Sequence, residues 1–313
     1  MKKTILALVF VLALSLSACN VKNDDSGSQL SNITVYTRDT SSGTRAGFMG
    51  KIGFSEAEAD DSVLADGFII AGNSEIISAV QSDINAIGYV SLSTLDTSLF
   101  NGLSFEGVEP TEANVLNESY LLARKFNYML RDDYSVYGDD ADRIEALAKA
   151  FVAYMGSTEG LATIKAAHGI VDVTSGEPWA TVKLNHPIVD EDNSDLTIKF
   201  GGSDSVEKIA KALSADFAPK AGNFVPEHNH TGSSNAYKGL NGANSAIDDA
   251  LSIMIGFASR EFRDTEVANI TGVVATDAIV AITNLDNPVT NLTAEDLKNI
   301  YSGEVTSWSD FIS

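Results

Sequence analysis

The hydrophobic pattern divides the chain into a short apolar opening run and a long alternation of strand-like and helix-like segments. Ile5 to Leu14 is unbroken and apolar, follows Lys2 and Lys3, and gives way to small residues ending in Leu16-Ser17-Ala18-Cys19. Such a run is too short to cross a bilayer, which takes about 20 residues. It has the form of a secretory signal covering residues 1–18. From Ile33 onward, short apolar strands alternate with helical periodicity, the mark of an α/β fold. Strands are expected at Ile33 to Tyr36, Phe68 to Ile70, Ala86 to Leu92, Leu196 to Phe200, Ile255 to Ala258 and Ala278 to Ile282. Helical spacing occupies Asp142 to Met155, Thr158 to Ala167 and Ser205 to Phe217, where Val206, Ile209, Leu213 and Phe217 share a face. Thr293 with Asp296 forms a capping box for a further helix running to about Tyr301 and stopping at Gly303. Ser175 to Asp195, with Pro178 and Pro187, is expected to connect two structural halves.

Composition narrows the function. The 313 residues suffice for two domains, and 43 acidic against 21 basic residues give a net charge of −22. So acidic a surface repels nucleic acid and offers no long-range attraction to an anion, so an anion site has to be built from local donors. Cys19 is the single cysteine, which excludes an intramolecular disulfide. Its place after Leu-Ser-Ala resembles a bacterial lipobox, which implies acylation of Cys19. Residues 19–32, rich in Asn, Asp, Ser and Gly, then read as a lipidated tether to the outer face of the cell membrane.

Three segments place glycine and hydroxyl residues just before a helix. They are Thr40-Ser41-Ser42-Gly43-Thr44-Arg45, Gly201-Gly202-Ser203-Asp204-Ser205 and Thr231-Gly232-Ser233-Ser234. A helix start has free N–H groups and partial positive charge, glycine permits close approach, and hydroxyls either cap the helix or donate to a ligand. One such turn alone is an ordinary N-cap. Several converging form a tetrahedral oxyanion site. Arg38, at a strand end directly before the first of these turns, can give two parallel charge-assisted hydrogen bonds to an oxyanion.

The run Arg38-Asp39-Thr40-Ser41-Ser42-Gly43-Thr44-Arg45 resembles a signature of the phosphate-binding proteins of phosphate ABC transporters: arginine, an acid, two residues, then Ser-Gly-Thr-Arg. GGSDSVEKIAKAL from Gly201, IGFASRE from Ile255, AIGYVSL from Ala86, FVAYMGSTEG from Phe151 and the stretch Asp277 to Phe311 are similar to the same family. The resemblance implies a two-lobed fold of the type II periplasmic-binding-protein kind with ligand in the cleft between lobes. It implies phosphate contacts from Arg38, Ser42, Gly43, Thr44, Ser203, Asp204, Ser205, Ser233 and Ser234. Inorganic phosphate and a membrane permease are the implied partners, with no cofactor, no metal, no covalent catalysis and a monomeric chain.

The order of segments is unusual, because the family's opening half occupies Leu196 to Ser313 and its Ser-Gly-Thr-Arg half comes first. A circular permutation is expected, with a gene fragment or fusion as the rival account. One lobe would combine residues 33–119 with 288–313, and the other would hold 120–287. Two departures bear on selectivity. Asp204 stands where the family often has Thr, so its carboxylate is expected to point away from the anion or take a proton. Met254 stands where the family often has an aspartate acceptor, which leaves the choice between phosphate and sulfate open. Other readings are a surface lipoprotein serving as sensor or adhesin, and a phosphoesterase, for which no GxSxG elbow occurs. His228 and His230 could share one face of a strand, but two ligands without a third suggest plain loop histidines.

Overall fold

A computed structural model describes residues 30–312. The signal segment, Cys19 and most of the tether lie outside these residues. No helix among the described residues is long and apolar enough to cross a membrane.

The strands are β1 (Thr34–Thr37), β2 (Ile69–Ile70), β3 (Ala86–Ser91), β4 (Ala123–Leu130), β5 (Thr197–Gly202), β6 (Val225–His230), β7 (Ile255–Ala258) and β8 (Thr271–Thr283). They join in one sheet in the order β2-β1-β3-β8-β4-β7-β5-β6. β2, β1 and β3 are mutually parallel, as are β6, β5 and β7. The same unit thus occurs twice, with its first strand in the middle. The antiparallel pair β4 and β8 joins the two units, and Ala123 lies opposite Ala278 in that ladder.

The main helices are α1 (Gly43–Lys51), α2 (Asn73–Ser82), α3 (Ala141–Met155), α4 (Thr158–Ala166), α5 (Glu207–Phe217), α6 (Ser233–Leu240) and α7 (Ala294–Ser302). Each forms for a reason visible in its sequence. α5 buries Ile209, Ala210, Leu213 and Phe217 on one stripe. α7 carries the full reciprocal capping box of Thr293 and Asp296 and ends at Gly303, whose φ of 81° suits glycine. All six residues of β3 are buried, so it reads as an apolar run with no alternation.

Two main cores flank the central pair. One draws on residues between Phe126 and Ala275 and contains Phe151, Tyr154, Trp179, Phe200 and Phe217 in ring-to-ring contact. Full burial of each such ring contributes about 1.5–3 kcal/mol. The other draws on residues 35–122 and 278–308 together with Ile170, with Phe48 stacked on Tyr89 at a centroid distance of 4.2 Å.

Ser175 to Asp195 is not a link between halves. Trp179, Ile188 and Val189 are buried in the first of these cores, and the strand that follows, β5, belongs to the same core. The segment wraps one core in short helical turns, because its apolar residues anchor it there. The strand expected at Ala278 to Ile282 is the end of the 13-residue β8.

Candidate functional site

All three hydroxyl-rich turns lie at the carboxyl ends of parallel strands, where open α/β sheets hold their ligands. β1 leads through residues 38–42 into α1, β5 through 203–206 into α5, and β6 through 231–232 into α6. The two-fold repeat of the strand unit therefore aims α1 and α5 at each other across β4 and β8.

The turns touch. Thr44 Oγ1 lies 2.7 Å from Ser205 Oγ, and Ser234 N donates to the carbonyl of Ser41 at 3.2 Å. Ser203 Oγ donates to Ser259 Oγ at 2.9 Å. Ser233 Oγ lies 3.2 Å from Ser259 Oγ and accepts from Ser259 N at 2.9 Å. Gly43 opens α1 against this cluster, and a Cβ there would collide with the hydroxyls of Ser233 and Ser259. Gly202, with φ of 100°, turns β5 into the loop where a side chain would strike the carbonyl of Phe257. Ser42 caps α1, its hydroxyl accepting from Arg45 N.

Arg38 is 3% exposed and sits at the meeting point. Its guanidinium donates to Asn73 Oδ1 at 2.6 Å and to Asp204 Oδ2 at 2.5 Å, while Nε is buried with no hydrogen-bond partner. Its amide donates to the Tyr89 hydroxyl, whose ionisation burial pushes up from the ordinary value. Arg45 has a different task. It is fully buried and donates to the carbonyls of Arg38 and Ala57 and to Asp61, fixing the shape of the first turn.

The nine residues expected at the site are thus brought together. Of the two expectations for Asp204, its carboxylate does not point away but faces the buried guanidinium of Arg38. Met254 is not at the site. It packs in the core, with Sδ accepting from Lys199 N at 3.5 Å, because it precedes β7 and so lies at the end of the sheet away from the site loops. An aspartate there would be buried among apolar side chains, so its replacement removes no acceptor from the cluster.

Sequence reasoning missed Ser259, which follows β7 as Ser203 follows β5, and Arg124 on β4. Arg124 Nη1 donates to Thr44 Oγ1 at 2.9 Å and to the carbonyl of Ser259 at 3.3 Å, and Nε donates to Asp277 Oδ2 at 3.0 Å. Asp277 on β8 also accepts from Ser91 Oγ at 2.7 Å. Burial pushes the Asp277 carboxyl up and the Arg124 guanidinium down, and each charge pulls the other back. A further buried pair, Arg260 with Glu266, reaches the hydroxyl of Ser234 at 3.4 Å.

His228 and His230 lie on β6, not in a loop, and bond to each other. His228 Nδ1 is 3.0 Å from His230 Nε2, and His230 Nδ1 donates to the carbonyl of Ser203 at 3.0 Å. That carbonyl can only accept, so neutral His230 accepts at Nε2 and His228 carries its proton on Nδ1. His228 Nε2 then accepts from Ser214 Oγ at 2.9 Å. Burial and the neighbouring ring push His228 down to about 4. No group of three or more metal-ligating side chains occurs among the described residues. Ser214 is a buried residue of α5 and so is not placed as a nucleophile.

Residues 187–313 match the PBP superfamily domain. The chain is 27% identical over 301 residues to the phosphate-binding protein PstS 2 of Streptococcus agalactiae, covering 94% of this chain and 92% of the relative. To PstS 2 of Streptococcus pneumoniae it is 26% identical over 312 residues, covering 98% and 97%. The chain is PstS-like. Its mixed α/β fold matches the solved phosphate-binding protein of a phosphate ABC transporter from Streptococcus pneumoniae, with a TM-score of 0.63 at 23% identity. That match spans 89% of the PstS-like chain and 99% of the solved one. These relatives carry the names of binding proteins, not of enzymes.

Proposed function

We propose that this PstS-like chain captures inorganic phosphate outside the cytoplasm and delivers it to the permease of an ABC importer. The observation that carries the reading is Arg38, a buried guanidinium at the junction of three hydroxyl-rich helix starts. In this reading Arg38, Ser42, Gly43, Thr44, Ser203, Asp204, Ser205, Ser233 and Ser234 form the phosphate site, and Ser259 joins them through its contacts to Ser203 and Ser233. Cys19 carries a lipid anchor and residues 19–32 form its tether. The two lobes are residues 33–119 with 288–313, and 120–287; two separate main cores support a two-lobed division, and the core of the first lobe also takes in Tyr120, Leu122, Ala278, Ile279 and Ala281. This order of segments, which the near-full-length alignments with the streptococcal relatives share, is a circular permutation of the family's more usual order.

Titration calorimetry of the chain without residues 1–18 tests the reading against phosphate and sulfate. Arg38→Ala removes a charged donor pair, each hydrogen bond contributing about 1.5–3 kcal/mol, so affinity falls by roughly 100-fold or more. Absence of binding at millimolar phosphate would overturn the proposal.

A further inference from the structure

A second space opens beside the hydroxyl-rich turns. Thr40 and Ser41 on one side, and Ser234, Lys238 and Arg263 on the other, line an open cavity of about 500 Å³. Ser41 and Ser234 stand next to Ser42 and Ser233 in the chain, and the carbonyl of Ser41 accepts from Ser234 N at 3.2 Å. That contact is a seam between the cavity and the oxyanion cluster, and parting it joins the two.

The cavity differs from the cluster in its charge. In the cluster Arg38 faces Asp204, Arg124 faces Asp277 and Arg260 faces Glu266. Lys238 and Arg263 are exposed and form no ion pair among the described residues. Lys238 follows Ser234 by four residues on α6, so the two share a face about 6 Å apart along the axis. Glu266 also lines the cavity, but its oxygens are taken by Arg260 at 2.6 and 2.8 Å and by the amide of Arg263 at 2.9 Å. Asp39 accepts from the amide of Ser41 at 2.7 Å, and Glu261 and Asp264, in the same loop as Arg263, do not line the cavity.

A chain of net charge −22 repels an anion at long range. Two uncompensated cations in a concave wall reverse that sign locally, within about 10 Å at 0.1 M salt. Resting on the phosphate reading, we propose that Lys238 and Arg263 form an outer anion site, where a tetrahedral oxyanion is held before it passes the seam of Ser41 and Ser234 to reach Arg38. The outer site acts on passage and not on the final position of the ligand. It therefore speeds entry and exit alike and leaves the equilibrium affinity nearly unchanged.

The test is rapid mixing of the chain without residues 1–18 with radiolabelled phosphate, which reads kon, and a chase with unlabelled phosphate, which reads koff. Between about 0.05 and 0.5 M sodium chloride the wild-type kon is expected to fall several-fold, because salt screens the local attraction. The net charge acting alone gives the opposite sign, a kon that rises with salt. Lys238→Gln combined with Arg263→Gln is expected to lower kon and koff together by about tenfold, to leave Kd within about threefold, and to remove the fall with salt. A wild-type kon that is flat or rises with salt, or a double variant with unchanged kon, overturns the inference alone. Absence of phosphate binding overturns the phosphate reading with it. The wild-type salt series decides the matter even where the double variant fails to fold.

Discussion

Replacing Arg124 by methionine tests the energetics of the pair that joins the two cores. Methionine keeps most of the side-chain length and leaves Asp277 buried without its cation. Asp277 is 1% exposed and keeps its hydrogen bond from Ser91 Oγ. Leaving one partner of a buried ion pair uncompensated costs about 3–5 kcal/mol. At about 2 °C per kcal/mol for a chain of this size, Tm should fall by about 6–10 °C at pH 7. The sign of the pH dependence follows from Asp277, whose carboxyl is already raised by burial and rises further without Arg124. The folded state then binds more protons than the unfolded one above the ordinary carboxylate range, so stability falls as pH rises through that window. The deficit of Arg124→Met should therefore shrink as pH is lowered from 7 to 5, and Asp277→Asn added to Arg124→Met should recover most of it at pH 7. Thermal unfolding by circular dichroism at three pH values reads all of this. A drop below 2 °C at pH 7, or a deficit that grows on acidification, would refute the reasoning.

Gly43→Ala should weaken phosphate binding by roughly 100-fold while leaving Tm within about 3 °C, since the new methyl group obstructs the approach of Ser233 and Ser259 without disturbing either core. Calorimetry alongside thermal unfolding separates the two effects. His228 and His230 are both held below the ordinary histidine range by burial, so the unfolded chain binds more protons and stability is lost as pH falls below about 6.5. His228→Gln should flatten that loss between pH 6.5 and 4.5 in a denaturant series. Thr293→Ala removes the cap and the reciprocal bond of the box on α7 and should cost about 1 kcal/mol by urea unfolding.

The parts of the fold legible in sequence are those whose signal is local. Strand–glycine–hydroxyl–helix order placed β1 with α1 and β5 with α5, and the capping box placed α7. β4 was not legible. Its Ala-Arg-Lys-Phe-Asn-Tyr-Met-Leu pattern mixes charges with apolar residues because it faces a core along part of its length and the site along the rest. Arg124 was hidden for the same reason, since a lone arginine in a strand declares no partner until Thr44 and Asp277 arrive from 80 and 153 residues away. Met254 shows the opposite error. Alignment to a motif placed it at the site, whereas it lies just before the first residue of β7, at the end of that strand away from the loops, and packs in the core. Proline content suggested that Ser175 to Asp195 connects two structural halves, but the anchoring residues Trp179, Ile188 and Val189 decide its place.

The chain passes between the two cores at β4 and β8, and these strands pair with each other over residues 123–129 and 271–278, with a register shift between Val273 and Ala275. A rotation of one core against the other would have this ladder, where the chain crosses between them, as its natural hinge. Points near an axis travel least, so Arg124 and Asp277 would stay almost still while Thr44, at the start of α1, and Ser205, just before α5, parted from each other beside them. An anion arriving between separated loops would therefore meet Arg124 already in position, and the hydroxyls would close in around a fixed point.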